Sequence, residues 1–300
     1  MPALSGMWLT NVTPYQADGS IDYALYREHV SWLAAAGVER HVPAGNTGEY
    51  SSLSVQEVLD LTEATREAAP DIFVLTGVGG AIGPTIELAT EALARGADAV
   101  MLHHPTHTHV SPDGLGDYCR RIAEATEGRT ILYKRDNRLG DELILELLRE
   151  EAALGVKYAV NDLIAFKQAQ AALPGATWLC GTAELWAPFF HLLGAVGFTS
   201  GLANAAPAAG LAMEQALASE DIVAAMDVRE HVRDIEELRQ GDAFAYNVPT
   251  VRSLMALAGF DIGPARLPLG GLDAAGAERV ERAWQAWAVA GFATPARAAV

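Results

Sequence analysis

Of the 21 basic residues in this 300-residue chain only three are lysines: Lys134, Lys157 and Lys167. Lys157 interrupts the apolar run AALGVKYAV. A charge inside a buried strand is costly, and an amine escapes that cost by losing its proton. A neutral amine at pH 7 is the nucleophile that forms a Schiff base with a ketone. The competing role is an ion pair inside the fold, for which Glu184 and Asp162 offer carboxylates. Lys167 falls in the helical pattern DLIAFKQAQAAL and reads as a solvated surface residue.

Tyr133 ends a second apolar run, TILYKR. Neighbouring strands lie about 4.8 Å apart, so inward side chains at matching heights can meet. A phenol beside the lysine could carry protons to and from a carbinolamine, provided that a charge or hydroxyl network lowers its pKa. It could equally be a packing tyrosine bonded to backbone. Lys134 points to the other face of its strand, because successive side chains alternate.

A third candidate is HHPTHTH, His103 to His109, which gathers four of the eight histidines into seven residues. Zinc needs three or four ligands converging at about 2.0–2.1 Å. His103 and His104 are consecutive and point to opposite sides, and only His41 could contribute from a distance. No metal site is expected. A histidine lining the mouth of a site is the better reading, with His107 placed best on its loop.

These groups need a scaffold. Eight short apolar runs read as buried strands: GMWLTNVTP, VERHVPA, IFVLTGVG, DAVMLHHP, RTILYKR, LGVKYAV, TWLCGT and AVGFTS. Amphipathic stretches such as DYALYREHVSWLAAAG, SVQEVLDLTEATREAA and GPTIELATEALARGA alternate with them. Ser54 and Glu57 make a capping-box pattern, and Gly37 and Gly96 stand where helices should end. The order predicts an α/β fold, a (β/α)8 TIM barrel, over residues 1–219, with a C-terminal helical appendage over 220–300. A doubly wound sheet is disfavoured, because NVTPYQADGS follows the first strand where a Gly-rich phosphate loop would stand. Catalytic groups in such a barrel sit at the C-terminal strand ends. That selects AGNTGEY, HHPTHTH, Tyr133, Lys157, GTAE and FTSG.

A net charge of -17 and a pI near 4.8 disfavour nucleic acid and anionic membranes as partners. Cys119 and Cys180 lack paired spacing, which points to a reducing compartment. The N-terminus MPALSGMWLTNVTP is no signal peptide, and no apolar run reaches the roughly 18 residues of a membrane helix. A cytoplasmic location is expected.

Five segments in order, GNTGEYSSLSVQE, ILYKRDN, LGVKYA, GFTSGLANAAP and NVPTVRSLMALAG with ARLPLGGL, resemble the Schiff-base lyase superfamily of dihydrodipicolinate synthase and N-acetylneuraminate lyase over nearly the whole chain. TGEYSSLS, RDN and TAE resemble the 5-dehydro-4-deoxyglucarate dehydratases in particular. The resemblance implies a small-molecule 2-keto acid substrate, no cofactor, and a homo-oligomer, a tetramer built of dimers. Lys157 would form the imine and Tyr133 would transfer protons. Thr47, with the N–H groups of Thr47 and Gly48, would hold the keto acid's carboxylate. Asn46 and Thr182 would contact substrate, Thr199 and Ser200 would line the pocket near the imine, and His107 falls near a tyrosine of the synthases' proton relay. Arg135 and Arg138 would anchor a second carboxylate through bidentate forks.

The implied reaction is loss of water and carbon dioxide from a keto-deoxy sugar acid. A dihydrodipicolinate synthase-like or other pyruvate aldolase is the alternative. Asn46 departs from the loop residue of both groups, Lys134 replaces the usual Asn, and KYAV departs from the dehydratases' Lys-Asp-Gly. A metal-dependent barrel hydrolase and a non-catalytic keto-acid binder are the readings from other classes.

Overall fold

A computed structural model of the chain describes residues 4–105, 107 and 109–293. Eight parallel strands close a barrel in chain order: β1 Gly6–Thr10, β2 Arg40–Val42, β3 Phe73–Val78, β4 Ala99–Leu102, β5 Thr130–Lys134, β6 Gly155–Tyr158, β7 Thr177–Cys180 and β8 Gly197–Ser200. Each is followed by a helix: α1 Tyr23–Ala35, α2 Val55–Ala68, α3 Ile82–Ala94, α4 Pro112–Ala125, α5 Asp141–Arg149, α6 Leu163–Ala172, α7 Ala183–Leu192 and α8 Pro207–Ala218. This is the predicted (β/α)8 architecture, and three more helices continue from it: α9 Ile222–Arg239, α10 Asn247–Leu257 and α11 Ala274–Ala290.

Local chemistry sets the boundaries. Ser54 accepts from the Glu57 N–H while the Glu57 side chain accepts from the Ser54 N–H, completing the capping box at the start of α2. Gly37 and Gly96 follow α1 and α3 with φ of +100° and +102°, left-handed values that a Cβ would disfavour.

Side-chain alternation divides the strands into two layers. Trp8, Phe73, Leu75, Met101, Ile131, Tyr133 and Leu179 pack together inside the barrel. Leu9, Val74, Val100, Leu132, Val156, Tyr158 and Trp178 pack outward beneath the helices. The register pairs Tyr133 with Lys157, and Lys157 with Leu179, so the lysine belongs to the inner set.

The C-terminal helices share one core with the barrel's closing segment. Val232, Ile235, Leu254, Met255 and Trp287 meet Val12, Leu202, Ala205 and Ala209 there. Trp287 is fully buried, and its indole N–H donates to the His231 carbonyl at 2.8 Å. This packing brings the C-terminal end of α9 to the same barrel mouth at which β5 to β8 end. No helix among the described residues is long and apolar enough to cross a membrane.

Candidate active site

A cavity of about 420 Å³ opens at the C-terminal strand ends. Its wall takes Thr10 from β1, Asn46 and Thr47 from the loop after β2, Tyr133 and Arg135 from β5 and its exit, and Lys157 from β6. Thr182, Thr199 and Ser200 close the opposite side. Glu236, Arg239 and Asn247 come from the C-terminal helices.

Lys157 is 5% exposed, and its Nζ lies 4.4 Å from the centre of the Tyr133 ring. Burial, assisted by the Arg239 charge, lowers its pKa to about 8. Neither candidate carboxylate neutralises it. Asp162 caps α6 by accepting from the Ile164 and Ala165 N–H groups, and Glu184 is buried without a hydrogen-bond partner. Gly181 makes the lysine's space, because a Cβ there would stand 3.0 Å from Lys157 Cγ and 2.7 Å from Ala159 Cβ. Lys134 turns to the outer face as alternation predicts, reaching Asp141 at 3.0 Å and the Leu139 carbonyl at 2.9 Å.

The Tyr133 hydroxyl accepts a hydrogen bond from Asn46 Nδ2 at 2.8 Å. The lowering of its pKa, on which a proton-carrying role is conditional, does not prevail. Burial raises it to about 12, and Arg135 and the Asn46 bond offset only part of that rise. The resting phenol is therefore a proton donor.

The loop from Ala44 to Tyr50 is held hard. Ala44 and Glu49 both adopt left-handed φ, +55° and +62°. The Glu49 side chain is fully enclosed and pairs with Arg252 of α10 at 2.6 Å, while its other oxygen accepts the Arg266 N–H at 3.0 Å. Thr47 lines the cavity from this loop. Gly48 does not line it, and its carbonyl accepts from Thr13 Oγ1 at 2.7 Å.

Thr199 Oγ1 donates to the Cys180 carbonyl at 3.4 Å, and Thr182 Oγ1 sits 3.6 Å from the Cys180 thiol. Arg135 is exposed at the rim and lines the cavity. Besides Gly48, two more expected substrate contacts lie elsewhere. Arg138 is forked onto Asp136, with Nη2 at 2.7 Å and Nε at 3.1 Å from its oxygens, and is absent from the cavity wall. His107 is exposed and also absent from the wall.

The histidines divide as consecutive strand-end residues must. His103 points inward, stacks on Tyr50 at 4.1 Å, meets the edge of Tyr133 at 5.6 Å and donates from Nε2 to the Ala44 carbonyl. Burial lowers its pKa to about 3. His104 turns outward to Asp136. His41 bonds Asn11 at 2.9 Å. Among the described residues no three His, Cys, Asp or Glu side chains converge.

Residues 3–287 match the Dihydrodipicolinate synthetase family. The chain belongs to that family of lyases. It is 31% identical over 279 residues to a probable 5-dehydro-4-deoxyglucarate dehydratase of Saccharopolyspora erythraea, covering 90% of this chain and 89% of that one. It is 29% identical over 277 residues to a 4-hydroxy-tetrahydrodipicolinate synthase of Methanothrix thermoacetophila, covering 88% and 90%. The crystal structure of dihydrodipicolinate synthase from Bacillus clausii superposes with a TM-score of 0.92 at 35% identity, covering 95% of this chain and 98% of that one.

Within the family frame, Glu236 and Arg239 are cavity residues that sequence reasoning missed. They pair with each other at i, i+3 on α9. Opposite charges at that spacing usually mark a solvated helix face, so no signal in the sequence separates this pair from a surface one.

Proposed function

We propose that the protein captures a 2-keto acid as an imine on Lys157 and removes water and carbon dioxide from a keto-deoxy sugar acid of the 5-dehydro-4-deoxyglucarate type. The observation that carries this reading is the amine itself. It is buried, without a salt bridge among the described residues, and faces a cavity it shares with Tyr133. With a pKa near 8, roughly one amine in ten is uncharged at pH 7, against fewer than one in a thousand for an ordinary lysine.

Thr47 and its loop suit the carboxylate beside the keto group, because the Glu49–Arg252 pair fixes that backbone before substrate arrives. The neutral Tyr133 phenol suits protonation of the carbinolamine hydroxyl as it leaves, and the phenolate can later take a proton from C3 to give the enamine. Arg135 is the rim cation suited to a second carboxylate. A cavity of about 420 Å³ lies within the usual range for small ligands and accommodates a six-carbon diacid. The similarity to the Saccharopolyspora dehydratase supports this choice of substrate.

A pyruvate-utilising synthase or aldolase is the second reading, favoured by the likeness to the Methanothrix synthase and the Bacillus clausii structure. Borohydride reduction with pyruvate should add mass to the peptide bearing Lys157. Label on Lys134, or none, overturns the imine. A screen of sugar-acid-derived 2-keto acids then separates the readings: carbon dioxide release selects the dehydratase, and cleavage to pyruvate selects the aldolase.

A further inference from the structure

At the start of α7 stands a carboxylic acid that the reading above leaves without a role. Ala183 adopts φ of +63°, a conformation that non-glycine residues seldom take and that clusters at functional sites. The next side chain, Glu184, is fully buried, and neither of its oxygens has a hydrogen-bond partner. Almost all buried polar groups are satisfied, so an orphaned carboxyl at the mouth of a barrel calls for an explanation. A helix N-terminus ordinarily favours the carboxylate. Here burial, then the neighbouring Glu236 carboxylate, outweigh Ser200 and Arg239 and raise the pKa to about 8. Burial thus holds Glu184 toward its protonated form.

Its surroundings form a built cluster. From α9, Glu236 and Arg239 pair with each other and line the cavity, and Gly201 leaves room for the guanidinium, since a Cβ there would lie 2.4 Å from Arg239 Nη2. Arg229 of the same helix is engaged by the Leu185 carbonyl at 2.9 Å and by Glu230. From β7, the Cys180 thiol feels both Glu184 and Lys157 of β6, and burial holds its pKa up at about 12. On α8, Glu214 turns to Arg40. From β8, Ser200 lines the cavity, and its hydroxyl stands close enough to Glu184 to favour the carboxylate, short of a well-formed hydrogen bond. Ser200 Oγ accepts the Ala203 N–H at 3.0 Å, which leaves its own proton free to be given.

The geometry points to Glu184 as the acid that supplies, through the Ser200 hydroxyl, the proton needed by the hydroxyl group that departs from the substrate. This rests on the imine reading above. In the enamine the nitrogen lone pair re-forms the C=N bond, and the C2=C3 pair becomes the C3=C4 bond. The C4–O bond breaks with both electrons going to oxygen. Ser200 gives its proton to that oxygen, making water, and takes the Glu184 proton in exchange. Nothing is oxidised or reduced. Glu184 is left as a carboxylate beside Arg239 and regains a proton from solvent when the site reopens. Glu184 touches no substrate atom and works only through Ser200.

The test uses E184Q, which keeps shape but has no acidic proton, with E184D and S200A. Two readouts are needed: kcat against pH for carbon dioxide release from 5-dehydro-4-deoxyglucarate, and borohydride trapping of pyruvate on Lys157. Once the imine exists Lys157 no longer titrates as a free amine, so kcat reports the groups of the complex. Wild-type kcat should fall above about pH 8. E184Q should lose about 100-fold or more in kcat together with that descending limb, while still trapping pyruvate. S200A should lose a similar factor, and E184D should recover part of the rate with the limb restored. Unchanged kcat and pH profile in E184Q, or trapping lost in step with kcat, overturns the proposal while leaving the imine reading intact. A wild type that traps pyruvate but releases no carbon dioxide removes both the donor and the dehydratase. A wild type that traps nothing removes the imine reading itself.

Discussion

At the scale of single residues, the chemistry rests on an amine held against a phenol. Lys157 was legible because a charge that breaks an apolar strand has few physical explanations, and strand register then delivered Tyr133 as its neighbour. Positions set by loop geometry were not legible. Arg138 found Asp136 two residues away, and His107 lies off the cavity wall, because a loop has no periodicity from which to read direction. Two outcomes follow at this scale. The free amine must be uncharged to attack, so kcat/KM should rise with pH and level off above about 8, the folded-state pKa of Lys157. A profile already flat at pH 6 to 7 would contradict the lowered value. Y133F should still form a reducible imine but lose about 100-fold or more in kcat, since the proton donor beside the carbinolamine is gone. Steady-state rates with parallel borohydride trapping check the split.

Among the elements, the strands were the readable part. Each of the eight apolar runs contains an observed strand, because burial on both faces forces continuous Val, Ile and Leu. The facing of α9 was not readable, since a helix with charges on several sides does not announce which side the barrel will cover. Nor was the partner of Glu49, which lies on α10, 203 residues later in the chain. That pair yields an element-scale expectation. R252A strands a buried carboxylate and frees the loop carrying Thr47, so stability should fall by about 3–5 kcal/mol. KM for pyruvate trapping should rise as well. Urea unfolding and concentration-dependent trapping measure the two effects. A variant with unchanged midpoint and unchanged KM shows that the clamp does neither.

For the whole molecule, an acid sensitivity lies in three enclosed imidazoles. Burial lowers the pKa of His29 to about 4, and of His41 and His103 to about 3, from an ordinary value of 6.5. Below 6.5 the unfolded chain takes up protons that the folded one refuses, so stability is complete above about 6.5 and drains away as pH falls toward 4. At pH 5 each costs roughly 2 kcal/mol, and together they take a large part of an ordinary domain's stability. The urea midpoint should therefore drop markedly between pH 7 and pH 5, and H103F should reduce that drop. Equal midpoints at the two values would remove the effect. Sequence reasoning weighed His41 and His103 as metal ligands and passed over His29, because burial of a histidine is decided by packing that no local pattern records.

The bond between residues 49 and 252 also bears on the order of events at the ribosome. A nascent polypeptide can close its ring of strands once β8 has emerged, yet the carboxylate-holding turn stays unbraced until α10 follows. Competence to bind is thus acquired later than the barrel itself.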